Sequence, residues 1–181
     1  MTDALNTALQ AVQQIATRPL LICIDGPAGS GKTTLAEQLA HHYVDVHVVH
    51  MDDLYEGWHD LLNDELIARV LTQVVLPFRE RRPLVFQCWD WTADQWGETV
   101  EIPPSEILIL EGVGSAAREL REHAQLTIFI DIDDAEGVKR VRTRDGLEVA
   151  AHMQSWIHHQ QQYFESDETR TSCDIFIASN V

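Results

Sequence analysis

The sequence predicts an α/β fold in which helices lie on both sides of a mostly parallel, five-stranded sheet. Segments 20–24 and 107–110 are short and apolar throughout rather than alternating, which is typical of strands buried on both faces. Stretches with helical periodicity separate such segments, as expected where crossover helices join parallel strands. These observations predict a three-layer sandwich with the sheet in the middle.

The individual elements follow from the same patterns. Apolar residues from Leu5 to Ile15 recur at helical spacing, so the N-terminus is predicted to form an amphipathic helix that ends before Pro19. The polar segment 92–104 is predicted to be irregular. Further strands are predicted at 46–49, 84–89, 126–130 and 175–178, and helices at 32–43, 64–76, 115–123, 135–144 and 147–164.

Composition and charge predict one acidic domain that covers 1–181. The 181 residues are 45% hydrophobic, which is enough for a full core. The formal net charge of −16 leaves no general basic face for displacing counterions from nucleic acid or for binding anionic membranes. We therefore expect no nucleic-acid and no membrane partner, while the question of a homo-oligomer stays open.

Cysteine use and the N-terminal sequence predict where the protein is found. Cys23, Cys88 and Cys173 lie far apart, and a sparse, odd number of cysteines indicates a reducing compartment rather than a disulfide framework. The N-terminal segment lacks the basic stretch and long apolar core of a secretion signal. No apolar run approaches the length of a membrane span. The expected location is the cytoplasm.

A glycine-rich motif lies between the first predicted strand and the next helix. Residues 26–33 match G-x-x-x-x-G-K-[ST], the Walker A pattern, whose backbone N–H groups surround a phosphate at a helix N-terminus. Lys32 is predicted to reach the β- and γ-phosphates of ATP, and Thr33 to ligate Mg²⁺. The motif indicates a P-loop NTPase fold. The predicted nucleotide-binding residues in it are Gly26, Ala28, Gly29, Ser30, Gly31, Lys32, Thr33 and Thr34.

Acidic residues follow two of the predicted strands. Asp52 and Asp53 come after strand 46–49, and Glu111 comes after strand 107–110. Because open α/β sheets bind ligands outside the carboxyl ends of their strands, Asp52 is a candidate base for a substrate hydroxyl. Glu111 is a candidate ligand of Mg²⁺ or of its water. Such acids also serve as caps and in turns, and for Asp53 alone this interpretation is equally open.

Five motifs, in this order, resemble the uridine kinase-like P-loop kinases: GPAGSGKTT, MDDLY, CWDW, LILEGVGS and KRVRTRDG. The resemblance extends over nearly the whole chain, from residue 22 to 177. It implies that Asp52 takes the proton of the acceptor hydroxyl and that Thr33, Asp52 and Glu111 surround Mg²⁺. It also implies that Tyr55 and the stretch 89–91 line the acceptor pocket.

The basic segment and the aromatic stretch receive roles in the same way. By resemblance, an arginine-rich helix leads to a short lid near 142–148, in which Arg144 supports the transferring phosphate. Arg140 is predicted to face the substrate, and Arg142 either stacks on adenine or lies on a solvated helix face. Trp89 and Trp91 form an aromatic wall or belong to the core. The hydroxyls of the acceptor are predicted to bind Asp53 or Asp90.

The predicted function is that of an ATP- and Mg²⁺-dependent kinase acting on a hydroxyl of a nucleoside, such as uridine or cytidine, or of a similar polyol. One alternative is a nucleoside monophosphate kinase, because IDGPAGSGKTT also resembles the start of cytidylate kinases. Another is a nucleotide-binding ATPase or switch protein without a small-molecule acceptor. Asp52, Asp53 and Glu56 favour a neutral acceptor, since carboxylates accept hydrogen bonds from hydroxyls and repel phosphate.

Overall fold

The core of the protein is a parallel sheet, in a computed structural model that describes residues 2–58 and 62–179. In chain order the strands are β1 (Leu20–Asp25), β2 (Val46–His50), β3 (Leu84–Asp90), β4 (Gln95–Ile102), β5 (Ile107–Glu111), β6 (Leu126–Asp131) and β7 (Ile175–Ala178). Five of them form the sheet in the order β2-β5-β1-β6-β7, and every pairing in it is parallel. The predicted α/β fold and its five-stranded sheet are therefore confirmed.

Helices pack against this sheet. They are α1 (Thr2–Gln14), α2 (Lys32–Ala40), α3 (Asp64–Val70), α4 (Leu76–Arg79), α5 (Arg118–Arg121), α6 (Asp134–Asp167) and α7 (Thr169–Ser172). A 3₁₀ turn spans Met51–Asp53, and a π-helical turn at Leu71–Val75 joins α3 to α4. No helix of the described residues has both the length and the apolar character needed to cross a membrane.

The central strand β1 divides the core into two parts. Its residues are fully buried, because β5 and β6 flank it and helices cover both faces. Successive side chains of a strand point to opposite faces. Leu21 and Cys23 therefore pack with residues of α3 to α6, whereas Leu20, Ile22 and Ile24 pack with α1 and α2. This burial on both sides explains why the strand is apolar without alternation.

The segment 92–104 was predicted to be irregular, and this prediction is wrong. Most of it is β4, which pairs antiparallel with β3 in a two-stranded hairpin beside the main sheet. The register places Phe86 opposite Val100 and Trp89 opposite Trp96. Much of β4 is exposed, so cross-strand pairing rather than an apolar run specifies this strand.

The predicted helices occur with shifted ends. Segment 64–76 continues through the π-helical turn to Arg79, and segment 115–123 retains helical geometry only in α5. The two helices predicted at 135–144 and 147–164 form α6, whose backbone leaves helical geometry at Gly146, with φ 89° and ψ −171°. Gly146 thus lies between the two predicted helices, where the sequence predicts an interruption.

Candidate active site

A cleft of about 1000 Å³ lies at the carboxyl ends of the central strands. Its floor is formed by residues 28–34, by Asp52 and Asp53 of the 3₁₀ turn after β2 and by Glu111 at the end of β5. α6 and the turn of the β3–β4 hairpin form its other walls. Open α/β sheets bind their ligands at this edge, and the cleft is large enough for two small molecules.

The glycine-rich loop depends on glycine at defined points. Gly26, directly after β1, has φ 139°, and a Cβ atom there would lie 2.1 Å from the carbonyl oxygen of Ile130. Gly31, directly before α2, has φ 99°. Side chains disfavour both conformations. The loop therefore turns tightly between β1 and α2 and directs the N-terminus of α2 into the cleft, as the Walker A motif predicts.

Lys32 lies within the curve of this loop. Its ammonium group donates hydrogen bonds to the carbonyl oxygens of Gly26 and Pro27, both at 2.8 Å. Burial lowers the pKa of Lys32, and the negative charges of Glu111 and Asp25 oppose this effect. A buried cation held by carbonyl groups can exchange these partners for the oxygens of a phosphate.

Asp25 is a residue that the sequence analysis missed. Its buried carboxylate accepts hydrogen bonds from the backbone amides of Gly26, Gly114 and Ala116 at 2.7 to 3.1 Å. It thereby ties the start of the phosphate loop to the chain that follows β5. Burial raises the pKa of Asp25 to about 6, although these amides and Lys32 lower it. Its only sequence signal is an acid at the end of an apolar strand.

Glu111 connects three parts of the site. The Thr33 hydroxyl donates to Oε1 of Glu111 at 3.0 Å, and the same oxygen lies 2.5 Å from Nδ1 of His50. The register of β2 and β5 places His50 directly opposite Glu111. The hydrogen bond to Glu111 raises the pKa of His50, against the effect of burial. Thr33 and Glu111 are thus brought together as predicted, with His50 as an additional neighbour.

The third predicted Mg²⁺ ligand, Asp52, lies on the same side of the cleft. Asp52 is exposed towards the cleft that it lines. Loss of water contact raises its pKa, as does the charge of Glu111, whereas Lys32 and Arg144 oppose the rise.

A hydroxyl and two carboxylates suit Mg²⁺, which takes oxygen ligands and keeps several waters or phosphates. Among the described residues, no group of three His, Cys, Asp or Glu side chains is placed to hold a metal. Thr33, Asp52 and Glu111 thus offer oxygen ligands of the kind that Mg²⁺ takes.

One end of the cleft is aromatic. Trp58 lies 5.0 Å from Trp91 and stacks in parallel on His152 at 4.7 Å, measured between ring centroids. Trp156 meets Trp58 edge to face at 6.3 Å. Trp91 was predicted here, whereas Trp58, His152 and Trp156 were missed because only the tertiary fold brings α6 to the segment after β2.

Tyr55 forms the back of this aromatic end. It is buried, and its hydroxyl donates to the carbonyl oxygen of Val113 at 2.7 Å. Its ring packs edge to face against Trp156 at 5.4 Å. Tyr55 therefore lines the cleft, as predicted, but its hydroxyl is hydrogen-bonded to the backbone of Val113. Asp53 lies half-buried at the rim of the cleft, where burial raises its pKa and His50 opposes the rise.

Two residues predicted to bind the acceptor, Trp89 and Asp90, do not line the cleft in the part of the chain that the structure describes. Trp89 packs edge to face on Trp96 at 5.1 Å, because the antiparallel register places the two indoles opposite each other on the hairpin. Asp90 accepts hydrogen bonds from the amides of Thr92 and Ala93 at 2.9 Å and so closes the hairpin turn. The predictions for Trp89 and Asp90 are wrong because both residues stabilise the hairpin.

The arginines divide between the two sides of the cleft. Arg140 was predicted to face the acceptor, but its guanidinium lies 3.4 Å from the carbonyl oxygen of Gly29, on the side of the phosphate loop. Arg142 is exposed and lies outside the cleft that the described residues form. Of the two roles left open for it, the solvated helix face agrees with this position and contact with the nucleotide does not. Arg144 lines the cleft and pairs with Asp145 at 2.7 Å.

The far end of the cleft is built from elements to which the sequence analysis gave no role. Asp3 on α1, Gln38 on α2 and Ser179 after β7 line it next to Arg140. No motif marks these positions, because they meet only when the two ends of the chain pack beside α2.

Comparison with known proteins supports the same interpretation of the fold. The family model of the AAA domain matches residues 22–165. The chain is 26% identical over 146 residues to uridine kinase of Limosilactobacillus reuteri (strain DSM 20016), covering 72% of this chain and 67% of the relative. It is 26% identical over 190 residues to uridine kinase of Streptococcus pneumoniae (strain Hungary19A-6), covering 91% and 87%.

A solved structure of a possible uridine kinase from Bacillus stearothermophilus has the same fold. Its TM-score is 0.71 at 22% sequence identity, and the match covers 97% of this chain and 98% of that one. The predicted resemblance to uridine kinase-like P-loop proteins is therefore confirmed. With the phosphate loop in place and the family model matching most of its length, the chain belongs to the AAA domain family of P-loop proteins.

Proposed function

We propose that the protein is a kinase that transfers the γ-phosphoryl group of ATP to a hydroxyl of a small neutral compound, a nucleoside or a similar polyol. The observation that carries this proposal is the continuity of the cleft. It joins the phosphate loop around Lys32, the carboxylate of Asp52 and the aromatic end in one cavity of about 1000 Å³. The name of the relatives, uridine kinase, supports a nucleoside as the first compound to test.

The donor nucleotide occupies the loop side of the cleft in this proposal. Backbone amides of 28–34 and the ammonium group of Lys32 hold the phosphates. Thr33, Asp52 and Glu111 hold Mg²⁺, which supplies charge neutralisation of the β- and γ-phosphates when bound. The adenine of ATP extends towards Gln38 and Arg140, which line the far end of the cleft.

The acceptor occupies the aromatic side. The carboxylate of Asp52 takes the proton as the hydroxyl oxygen attacks the γ-phosphorus, and ADP leaves towards the loop. Lys32 and Arg144 neutralise the charge that develops on the transferring group. Arg144 lies in the lid that we place at 142–148, next to the interruption of α6 at Gly146, within a single kinase domain of 1–181.

The charges around the acceptor side favour a neutral compound. Asp52 and Asp53 line this side of the cleft together with the aromatic residues. A phosphorylated acceptor requires cations there. The cations that line the described cleft are Lys32 and Arg140 beside the loop and Arg144 in the proposed lid. These are the positions expected of groups that act on the donor.

The test is a coupled assay of ADP formation with ATP and Mg²⁺. Uridine, cytidine, simple sugars and nucleoside monophosphates serve as acceptors, and the Lys32→Ala variant serves as the control. We expect saturable ADP formation that depends on one neutral acceptor. Stimulation by monophosphates alone would instead identify a nucleotide kinase. Hydrolysis that no acceptor changes would identify an ATPase without a small-molecule acceptor.

A further inference from the structure

We propose that Trp91 is a positioning residue that joins acceptor binding to catalysis. Its indole N–H holds the backbone of Asp52, and its ring forms the acceptor wall with Trp58. This inference rests on the proposed function. The compound class that it implies is a neutral alcohol with a flat or apolar face, which lies on the Trp58–Trp91 wall with its hydroxyl at Asp52.

The central contact is a hydrogen bond between two distant parts of the chain. The indole nitrogen of Trp91 donates to the carbonyl oxygen of Asp52 at 3.0 Å. Asp52 lies in the 3₁₀ turn after β2, and Trp91 lies in the hairpin turn after β3. A one-turn helix has little rigidity of its own. The hydrogen bond therefore fixes the segment that carries the proposed acid against a separate element.

The hairpin is rigid enough to act as this support. The carboxylate of Asp90 accepts hydrogen bonds from the amides of Thr92 and Ala93 at 2.9 Å, which closes the turn around Trp91. Behind the turn, Trp89 packs edge to face on Trp96 at 5.1 Å. Trp89 and Asp90 were predicted to bind the acceptor. In the structure they instead stabilise the strand ends that carry Trp91.

The ring of Trp91 contributes a surface next to the same acid. Trp91 is 39% exposed, which leaves part of its ring free towards the cleft. Its neighbour Trp58 lies 5.0 Å away and is held by parallel stacking on His152 at 4.7 Å. Indole rings offer flat, apolar surfaces that suit a nucleobase or the apolar side of a sugar.

These two contacts of Trp91 predict separable effects. Trp91→Phe retains an aromatic ring but removes the N–H donor, so acceptor binding is maintained while Asp52 loses its support. A misplacement of the order of 1 Å at a reacting group lowers turnover by up to about 10²-fold. For the loss of one supporting hydrogen bond we expect kcat to fall about 10-fold, with the acceptor KM changed by less than about threefold.

The experiment compares Trp91→Phe, Trp58→Ala and the control Trp96→Phe with the wild type. Trp96 does not line the cleft in the described part of the chain, and phenylalanine keeps a ring against Trp89, so Trp96→Phe should leave kcat and KM close to the wild-type values. Trp58→Ala should raise the acceptor KM more than it lowers kcat. A kcat of Trp91→Phe within about twofold of the wild type, well short of the 10-fold fall expected from the lost hydrogen bond, would overturn the inference.

A second readout does not depend on activity. The chain has five tryptophans, and the loss of one indole signal in ¹⁵N-labelled Trp91→Phe assigns the N–H of Trp91. Slow exchange of that proton with water is expected from a hydrogen-bonded donor, and exchange at the rate of a free indole contradicts the proposal. If the wild type itself shows no acceptor-dependent ADP formation, the proposed function fails, whereas the exchange measurement still tests whether the N–H of Trp91 is hydrogen-bonded.

Discussion

The phosphate loop and the aromatic end of the cleft depend on different ranges of the chain. Lys32 bonds to carbonyl groups five and six residues before it, and the glycines that shape the loop lie in the same short segment. The aromatic end takes Trp58 from the segment after β2, Trp91 from the hairpin turn and Trp156 from α6. The first site is local in sequence, and the second exists only after the domain has folded.

This difference explains which site a motif can identify. Backbone groups form the phosphate site, so glycine, lysine and threonine at fixed spacing are sufficient to specify it. The acceptor site consists of side chains on elements whose relative positions depend on packing. The two sites also respond differently to substitution, since changes in the loop alter charge and backbone geometry whereas changes in the aromatic end alter a surface.

The largest effect is expected for Lys32→Ala. Removal of the cation beside the β- and γ-phosphates should lower kcat about 10³-fold or more, because it takes away the buried positive charge that the loop holds at that point. ADP formation in the coupled assay measures the effect, and circular dichroism checks the fold. The matched control is Lys139→Ala, since Lys139 is exposed and pairs with Glu136 on the outer face of α6 in the described part of the chain. Equal losses in both variants would contradict a special role for Lys32.

The second prediction concerns the buried acid before the loop. The pKa of Asp25 is raised to about 6, so its favourable contribution to stability is complete below its unfolded pKa and is lost as pH rises through 6. A shift of this size corresponds to roughly 3 kcal/mol. We therefore expect the free energy of unfolding to decline between pH 4 and 7 in the wild type relative to Asp25→Asn.

Urea unfolding at several pH values measures this decline. The asparagine variant does not titrate at position 25, so the difference between the two proteins isolates one group. Parallel stability curves for the two proteins would show that Asp25 does not titrate with a raised pKa.

The third prediction tests the acid between the two sites. Asp52→Asn retains the shape of the side chain but cannot accept the proton, so kcat should fall about 10²-fold while ATP affinity changes little. Asp53→Asn, one residue along the same turn, should have a much milder effect. Initial rates and nucleotide titration measure both variants. The reverse ranking would move the proposed base to Asp53.

The sequence predicted the parts of the fold that short-range patterns determine. The apolar strands, the loop and the interruption of α6 at Gly146 occur where predicted, because burial on both faces and backbone geometry leave direct traces. β4 was missed, since a half-exposed strand of a hairpin carries polar residues on its open face. Whether Trp89 or Trp91 reaches the cleft depends on the pairing of Trp89 with Trp96, which no local pattern reveals.

The smallest effect is expected for Trp89→Phe, which separates the hairpin core from the acceptor surface. The indole nitrogen of Trp89 is buried and has no hydrogen-bond partner in the described part of the chain, so phenylalanine removes an unpaired donor while retaining a ring against Trp96. The gain from losing that donor and the loss of contact area offset each other to within about 1 kcal/mol. The acceptor KM should stay at the wild-type value, because Trp89 does not line the cleft of the described residues. Acceptor titration and the urea midpoint measure the two quantities, and a tenfold rise in KM with an unchanged midpoint would return Trp89 to the acceptor site.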